Sequence, residues 1–301
     1  MATTNPGVAP QTGDDQPGAE DVEIDHEVAH AARMYDYLAG GTTHFEVDRQ
    51  AVERASVAVG GMENARADVR ANRAFLGRVV QWLVGPCGIR QFLDIGTGVP
   101  GPGNVDAVAH EAAPGIRVVC VDNDPIVLAH AHRIGPPGGR GVTAFVAGDL
   151  RDPDHLLEAA ARTLDLGQPV ALLLISVLHL IEDDDDPYGI VRGLVDALAP
   201  ASYLALSHLT ADIAPKAMRA LVNALNASAR ERFVMRDHAE VSRFFDGLEV
   251  IRPGVVQVDQ WHAGRLAPPP SDAGWVPSFY GGVARTSVWP APAAHPLTTQ
   301  H

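Results

Sequence analysis

Two short apolar segments, one ending in glycines and the other in an acid, constrain the fold of this 301-residue chain most strongly. Residues 92–95 follow a turn-rich stretch and predict a buried strand, which runs into the glycine turn of residues 96–98. Residues 118–121 predict a second strand, which ends at Asp122. A crossover helix is predicted between them, over residues 105–113. Strand, glycine turn, helix, strand and acid in this order are typical of the nucleoside-binding half of a doubly wound α/β sheet.

The glycine loop distinguishes between two classes of nucleoside ligand. Residues 96–101 match the dinucleotide fingerprint GxGxxG, which requires a helix that opens on its last glycine. Here Pro100 and Pro102 delay the start of any helix, so the loop continues. Asp94 lies inside the preceding strand, where its carboxylate would repel a pyrophosphate but attract an ammonium and a sulfonium. The loop therefore favours S-adenosylmethionine, although the literal fingerprint leaves an NAD(P)-dependent oxidoreductase open.

The tips of two later strands supply further candidate contacts. Residues 142–147 predict a third strand that ends near Asp149 and Leu150, an acid for an adenine amino group and an apolar side chain for the ring. A helix cap or turn is the alternative role of Asp149. Ser176 follows the fourth predicted strand, over residues 170–175. The candidate cofactor contacts are Asp94, Gly96, Thr97, Gly98, Asp122, Asn123, Asp149, Leu150 and Ser176.

Two histidines follow the fourth and fifth predicted strands. His179 lies shortly after residue 175, and His208 comes after the strand predicted over residues 202–206. Open α/β sheets bind ligands at the carboxyl ends of their strands, so both histidines are candidates for proton transfer, His179 before His208. A packed, hydrogen-bonded histidine is the alternative for each. The acidic run of residues 182–186 is typical of a solvated loop, and no metal site is predicted.

The chain before the first strand predicts two helices, over residues 22–38 and 65–84. Residues 32–49 are dense in polar and aromatic side chains, which admits two interpretations. In the first, a helix packs on the domain through Met34, Tyr35 and Leu38. In the second, the segment is a lid over the site, and its ligand-facing side chains are Arg33, Tyr37, His44 and Phe45.

The rest of the pattern predicts the domain organisation. Residues 248–258 and 280–287 predict a closing hairpin after the parallel strands. The predicted parts are a disordered tail (1–21), an N-terminal helical lid segment (22–84), an α/β domain (85–288) and a loose C-terminus (289–301).

Composition limits the partners and the compartment. The formal net charge is −14, and Lys216 is the only lysine, which disfavours nucleic acid and anionic membranes. No apolar run is long enough to span a bilayer, and the first residues lack a signal-peptide pattern. Two cysteines, Cys87 and Cys120, indicate a reducing environment. We therefore expect a cytoplasmic protein with a small-molecule partner, and a homodimer is one oligomeric state to test.

These motifs resemble the class I S-adenosylmethionine-dependent methyltransferases. Asp94-x-Gly96-x-Gly98 matches the first motif of that family, Asp122 its ribose-binding acid and Gly148-Asp149 its adenine-side motif. The run of residues 33–41, RMYDYLAGG, is similar to an actinobacterial methyltransferase family, the DUF574 type. The resemblance implies an α/β, Rossmann-like, doubly wound sheet of seven strands with a reversed terminal hairpin, preceded here by the helical lid.

The resemblance also implies an activity. The expected function is methyl transfer from S-adenosylmethionine to a small molecule, with His179 or His208 as the base if the acceptor is a hydroxyl. Besides the oxidoreductase, a non-catalytic protein that binds S-adenosylmethionine is the remaining alternative.

Overall fold

A computed structural model describes residues 24–134, 141–262 and 276–286. The predicted tail over residues 1–21 and the predicted loose C-terminus over residues 289–301 lie outside these ranges. Within the described ranges, no helix combines the length and the apolar character that a bilayer crossing requires.

The described strands form one mixed sheet in the order β3-β2-β1-β4-β5-β8-β6, with β7 also paired to β8. Their bounds are β1 (Gln91–Ile95), β2 (Ile116–Asp122), β3 (Gly141–Ala147), β4 (Ala171–Ile175), β5 (Tyr203–Leu209), β6 (Glu249–Val250), β7 (Val256–Gln257) and β8 (Phe279–Arg285). Strands β1 to β5 are parallel, and β8 is antiparallel to β5. The doubly wound sheet with a reversed terminal strand is therefore confirmed.

The sixth strand of the predicted plan is interrupted. Residues 248–258 were expected to form one strand, but the structure divides them into β6 and β7, which both pair antiparallel with β8. Pro253 lies between the two pieces and has no backbone N–H to donate to the sheet. Gly254 follows with φ +101°, which turns the chain out of the extended conformation. Within the described residues the sheet consequently has eight strands, where seven were predicted.

The described α-helices surround the sheet, and the first three of them precede β1 in the chain. They are α1 (Ala31–Ala39), α2 (Glu46–Ser56), α3 (Met62–Val84), α4 (Val105–Ala112), α5 (Pro125–Ile134), α6 (Pro153–Ala160), α7 (Pro187–Asp196), α8 (Pro215–Asn226) and α9 (His238–Arg243). The helix predicted from residue 22 begins only at Ala31. His30 is extended, and Ala29 forms an isolated bridge to Ala229, so tertiary pairing replaces the first helical turns.

Both faces of the sheet are buried, as expected of parallel strands. One face packs on α3, α4 and α8, and the other packs on α6, α7 and α9. Phe92 and Leu93 of β1 illustrate the alternation, because these successive fully buried side chains belong to opposite layers. A third apolar cluster joins α1 and α2 to Leu225 of α8. The N-terminal helices are therefore packed on the domain next to the carboxyl ends of the strands.

Two adjacent glycines in β8 allow aromatic rings to approach the strand from both sides. A Cβ on Gly281 would lie 2.8 Å from the Phe75 ring of α3. A Cβ on Gly282 would lie 3.0 Å from the ring of Phe245, which follows α9. Each glycine thus sets how closely one layer packs on the sheet.

Candidate active site

The glycine turn after β1 folds back onto the tip of β2. Gly96 and Gly98 have φ values of +75° and +69°, which glycine adopts without strain. The N–H of Gly98 donates to Oδ2 of Asp122 at 2.8 Å. A Cβ on Gly96 would lie 2.6 Å from Cγ2 of Val177, so this position has no space for a side chain. The turn and the β2 acid therefore form one unit.

Two side chains brace the loop beyond the turn. Asn104 donates through Nδ2 to the carbonyl oxygens of Thr97 and Val99, at 3.4 and 3.2 Å. Arg73 of α3 donates through Nη2 to Oδ1 of Asn104 at 2.8 Å and to the Pro102 carbonyl at 3.0 Å. Asn104 is the N-cap residue of α4, but its side chain makes no capping hydrogen bond and holds the loop instead. Because α4 begins at Val105 and not at residue 101, the dinucleotide geometry is not formed.

The acids at the tips of β1 and β2 are buried. Asp94 is only 3% exposed, and burial together with repulsion from Asp106 and Asp122 raises its pKa to about 7. The Asp122 carboxylate accepts the N–H of Asp124 at 2.9 Å in addition to that of Gly98. Burial raises the pKa of Asp122 as well. A buried carboxylate with a raised pKa is stabilised by any cation that binds beside it.

The tip of β3 is more open to solvent. Asp149 accepts from Nδ2 of Asn123 at 3.0 Å and from the backbone N–H of Arg151 at 2.9 Å. Leu150 beside it is buried. An acid and an apolar side chain are thus next to each other where the sequence predicts contacts to an adenine.

The tip of β4 combines an unusual backbone with a buried histidine. Ser176 has φ +61°, which is rare outside glycine, and its N–H donates to Oγ of Ser207 at 3.0 Å. His179 is 4% exposed, and its ring stacks on Phe233 with centroids 5.7 Å apart. Among the described residues, Nδ1 of His179 has no hydrogen-bond partner. Burial and then the charge of Arg236 lower the His179 pKa to about 3, so the imidazole is neutral at physiological pH.

His208, the second predicted base, has both ring nitrogens in use. Nδ1 lies 2.7 Å from the Leu209 carbonyl oxygen, and Nη1 of Arg236 donates to Nε2 at 2.9 Å. The ring is fully buried beneath the strand tips and does not line the cavity described next. Neither ring nitrogen of His208 is therefore free for a ligand in this structure.

A cavity of about 570 Å³ extends along the carboxyl edge of the sheet. Its volume lies in the usual range for small-molecule sites, roughly 300–1,000 Å³. The structure brings ten of the predicted residues together on its walls. They are Asp94, Gly96, Thr97, Gly98, Asp122, Asn123, Asp149, Leu150, Ser176 and His179.

The four predicted lid side chains do not line this cavity. Arg33 is buried and lies over the ring of Phe45, with its guanidinium carbon 5.2 Å from the ring centroid. Tyr37 donates its hydroxyl to Glu53 at 2.8 Å, and Nδ1 of His44 lies 3.1 Å from Asp36. The cavity wall on α1 is formed instead by the side chains of the alternative interpretation, Met34, Tyr35 and Leu38. Helix α1 therefore lines the cavity, but not through Arg33 or Tyr37.

Comparison with known proteins assigns the chain to a family. The family model described as S-adenosyl methyltransferase matches residues 17–287. The chain belongs to the S-adenosyl methyltransferase family. A DUF574 family protein from Streptomyces avermitilis MA-4680 is 41% identical over 88% of this chain and 100% of its own, with a TM-score of 0.80. A candidate methyltransferase from Thermobifida fusca YX is 32% identical over 87% of this chain and 97% of its own, with a TM-score of 0.76.

These similarities confirm the predicted family, enzyme class and cofactor. The chain is a methyltransferase that uses S-adenosylmethionine. The magnesium protoporphyrin IX methyltransferase ChlM from Synechocystis PCC 6803, solved with bound S-adenosylhomocysteine, is 14% identical over 84% of this chain and 93% of its own. Its TM-score of 0.51 indicates a shared fold. No curated protein matches the sequence.

A buried ionic triad that the sequence did not predict connects the N-terminal segment of the methyltransferase to β2. Nδ1 of His30 lies 3.0 Å from Oδ2 of Asp124, and Nε2 lies 2.7 Å from Oε1 of Glu231. Burial alone would lower the His30 pKa, but the bonds to the two carboxylates raise it to about 9. Asp124 in turn donates its N–H to Asp122. His30 is thus connected through Asp124 to Asp122, the acid at the end of β2.

The glycine turn gives a prediction for stability. The Gly96→Ala variant is expected to lose about 2 kcal/mol of unfolding free energy, because it adds a positive-φ penalty and a clash with Val177. Equilibrium unfolding in urea measures this loss. Gly101→Ala is the matched control, since nothing lies within 4 Å of a Cβ at that position. Equal stability of the two variants would contradict the close packing of the turn.

Proposed function

We propose that this enzyme transfers the methyl group of S-adenosylmethionine to a small-molecule acceptor that binds in the same cavity as the cofactor. The observation that carries the proposal is the convergence of a glycine turn and three strand-tip acids, Asp94, Asp122 and Asp149, on one cavity. The cavity also extends past the tip of β4, which leaves space for a second ligand.

The donor set fits the cofactor. Asp122 would accept hydrogen bonds from the ribose hydroxyls, and Asp149 would accept one from the adenine amino group while Leu150 packs on the ring. Asp94 is buried and has a raised pKa, so a cationic amino group beside it would return the carboxylate to its charged form. Gly96 and Gly98 let the backbone approach the methionine part closely.

The remaining chemistry is positioning and proton transfer. When bound, S-adenosylmethionine supplies a methyl group that is already activated by the sulfonium. The protein therefore has to align the acceptor and exclude water, and alignment alone contributes up to about 7–11 kcal/mol in favourable cases. His179 is the only one of the two predicted bases on the cavity wall. Its neutral Nδ1 can take the proton of a hydroxyl acceptor, since that proton becomes far more acidic as the bond to methyl forms.

Calorimetric titration tests the proposal directly. The purified enzyme is titrated separately with S-adenosylmethionine, S-adenosylhomocysteine, NAD+ and NADP+, and we expect binding of the first two alone. Binding of a nicotinamide cofactor alone would overturn the cofactor roles proposed for Asp94 and Asp122. A protein that binds S-adenosylmethionine but has no acceptor would leave the cavity beyond β4 without a ligand, and the acceptor probes described below test for that case.

A further inference from the structure

The cavity divides into two parts according to the order of the strands. The proposed cofactor contacts lie at the tips of β3, β2 and β1, with Ser176 at the tip of β4. On the other side of β4 the cavity continues to Leu209 at the end of β5 and Phe279 at the start of β8. Adjacent strands lie about 4.8 Å apart, so this second part spans roughly 10 Å along the sheet edge.

The walls of this second part are largely apolar, although Asp68 and Glu231 also line the cavity. We call it the acceptor chamber and define it by Leu38, Val59, Leu209, Leu225, Phe233 and Phe279. The side chains come from α1, the turn after α2, β5, α8, the loop after α8 and β8, so they surround the space from several directions. Phe233 stacks on His179 with an interplanar angle of 20°, and Phe279 contacts the same ring at 67°. Flat aromatic surfaces therefore flank the imidazole.

The charged groups near the chamber already have partners. Glu231 is paired with His30 and also accepts the N–H of Ala31 at 2.9 Å. Asp68 accepts the N–H of Ser278 at 2.7 Å. Both carboxylates would repel an anion, and a cation would be desolvated against the apolar walls. By contrast, Nδ1 of His179 is buried without a partner among the described residues, and its residue lines the cavity, so a ligand hydroxyl that reaches this atom would supply its missing hydrogen bond.

We propose that the acceptor is an uncharged, largely apolar molecule about the size of two fused aromatic rings, which lies in the acceptor chamber and presents one hydroxyl to Nδ1 of His179. This inference rests on the function proposed above. In the transfer, the hydroxyl oxygen forms a bond to the methyl carbon and the bond from that carbon to sulfur breaks, with its electron pair remaining on sulfur. The hydroxyl proton passes to Nδ1 of His179 and then to solvent.

Four small probes test the chemical class by calorimetry at pH 7, with the enzyme saturated by S-adenosylhomocysteine. The probes are 2-naphthol, naphthalene, 2-naphthoate and 2-naphthylmethylammonium. We expect 2-naphthol to bind, naphthalene to bind about tenfold more weakly because it lacks the hydroxyl, and the two ions to bind at least about 100-fold more weakly. Naphthoate or the ammonium binding as tightly as 2-naphthol would overturn the proposal, and so would a lack of binding by all four.

Three variants locate the probe. His179→Phe should bind 2-naphthol and naphthalene equally, because the contact to the hydroxyl is gone, and a persistent tenfold preference would overturn the His179 contact. Val59→Trp should fill the chamber and remove 2-naphthol binding while S-adenosylhomocysteine still binds. Val57→Trp is the matched control from the same turn, since Val57 is 74% exposed. Retained 2-naphthol binding in Val59→Trp would place the probe outside the chamber.

The titration with S-adenosylhomocysteine separates two kinds of failure. If the unmodified enzyme binds neither this compound nor S-adenosylmethionine, the proposed function fails, and the acceptor inference fails with it. If S-adenosylhomocysteine binds and the four probes do not follow the expected order of affinity, only the acceptor inference fails.

Discussion

The Asp122→Ala variant is expected to bind S-adenosylhomocysteine at least about 100-fold more weakly than the unmodified enzyme. The Asp122 carboxylate is proposed to accept hydrogen bonds from both ribose hydroxyls, and each bond to a charged group contributes about 1.5–3 kcal/mol. Losing both removes at least about 3 kcal/mol, which corresponds to the stated factor. The same change also releases the N–H of Gly98 from its partner, so the glycine turn loses a contact. Calorimetry gives the dissociation constant directly.

Two controls make this result specific to the ribose contact. Asp154→Ala removes an exposed acid of α6 and should leave the affinity unchanged. Asp122→Asn keeps one acceptor oxygen for Gly98 and should have an affinity between those of the unmodified enzyme and the alanine variant. Full affinity in Asp122→Ala, with the fold intact by circular dichroism, would remove Asp122 from the cofactor site.

The His30→Ala variant is expected to lose about 3–5 kcal/mol of unfolding free energy, because it leaves Glu231 without its buried cation and leaves Asp124 with Arg33, whose Nε lies 3.5 Å away, as its remaining cation. Asp124 and Glu231 would face each other in a largely buried space without the cation between them. Urea unfolding at pH 7 measures the loss. Arg232→Ala is the control, since its pair with Glu182 is exposed and should change stability by no more than about 1 kcal/mol.

The same triad predicts a pH dependence with a definite sign. Folding raises the pKa of His30 from 6.5 to about 9, so its contribution is fully present below pH 6.5 and is lost as the pH rises through 9. The shift corresponds to a loss on the order of 3 kcal/mol. The pKa values of Asp124 and Glu231 are lowered despite their burial, since both bind His30, so the triad is also lost at acid pH. Unfolding free energies at pH 6.5 and 9.5 should differ less in His30→Ala, and an unchanged difference would contradict the assignment.

The cofactor side of the site was predictable because its signals are local. The turn at residues 96–98 and the acids at Asp94, Asp122 and Asp149 each lie directly after a strong apolar strand. Since parallel strands end at the same edge, strand order alone brought these residues together. In the structure these residues line one cavity, and their individual roles remain predictions for experiment.

The N-terminal wall was harder to predict, for two physical reasons. Helix α1 is short, so its sequence does not reveal which face is turned inward, and in the structure Arg33 and Tyr37 do not line the cavity. The triad of His30, Asp124 and Glu231 joins residues about a hundred positions apart, and no spacing in the sequence relates them. The pairing of His208 with Arg236 was equally hidden, because Arg236 comes from a separate loop.

The paired glycines of β8 have a consequence for how sequence variation affects this enzyme. A methyl group on Gly281 would push against Phe75, and Phe75 belongs to the same helix as Arg73, which holds the loop beside the cofactor site. A substitution in β8 would therefore be expected to shift, through helix α3, the loop that Arg73 holds at Pro102 and Asn104. In a survey of random variants, substitutions of Gly281 should be tolerated as poorly as substitutions of the site residues themselves. The cause would be the spacing between helix α3 and the sheet, and not a contact with a ligand.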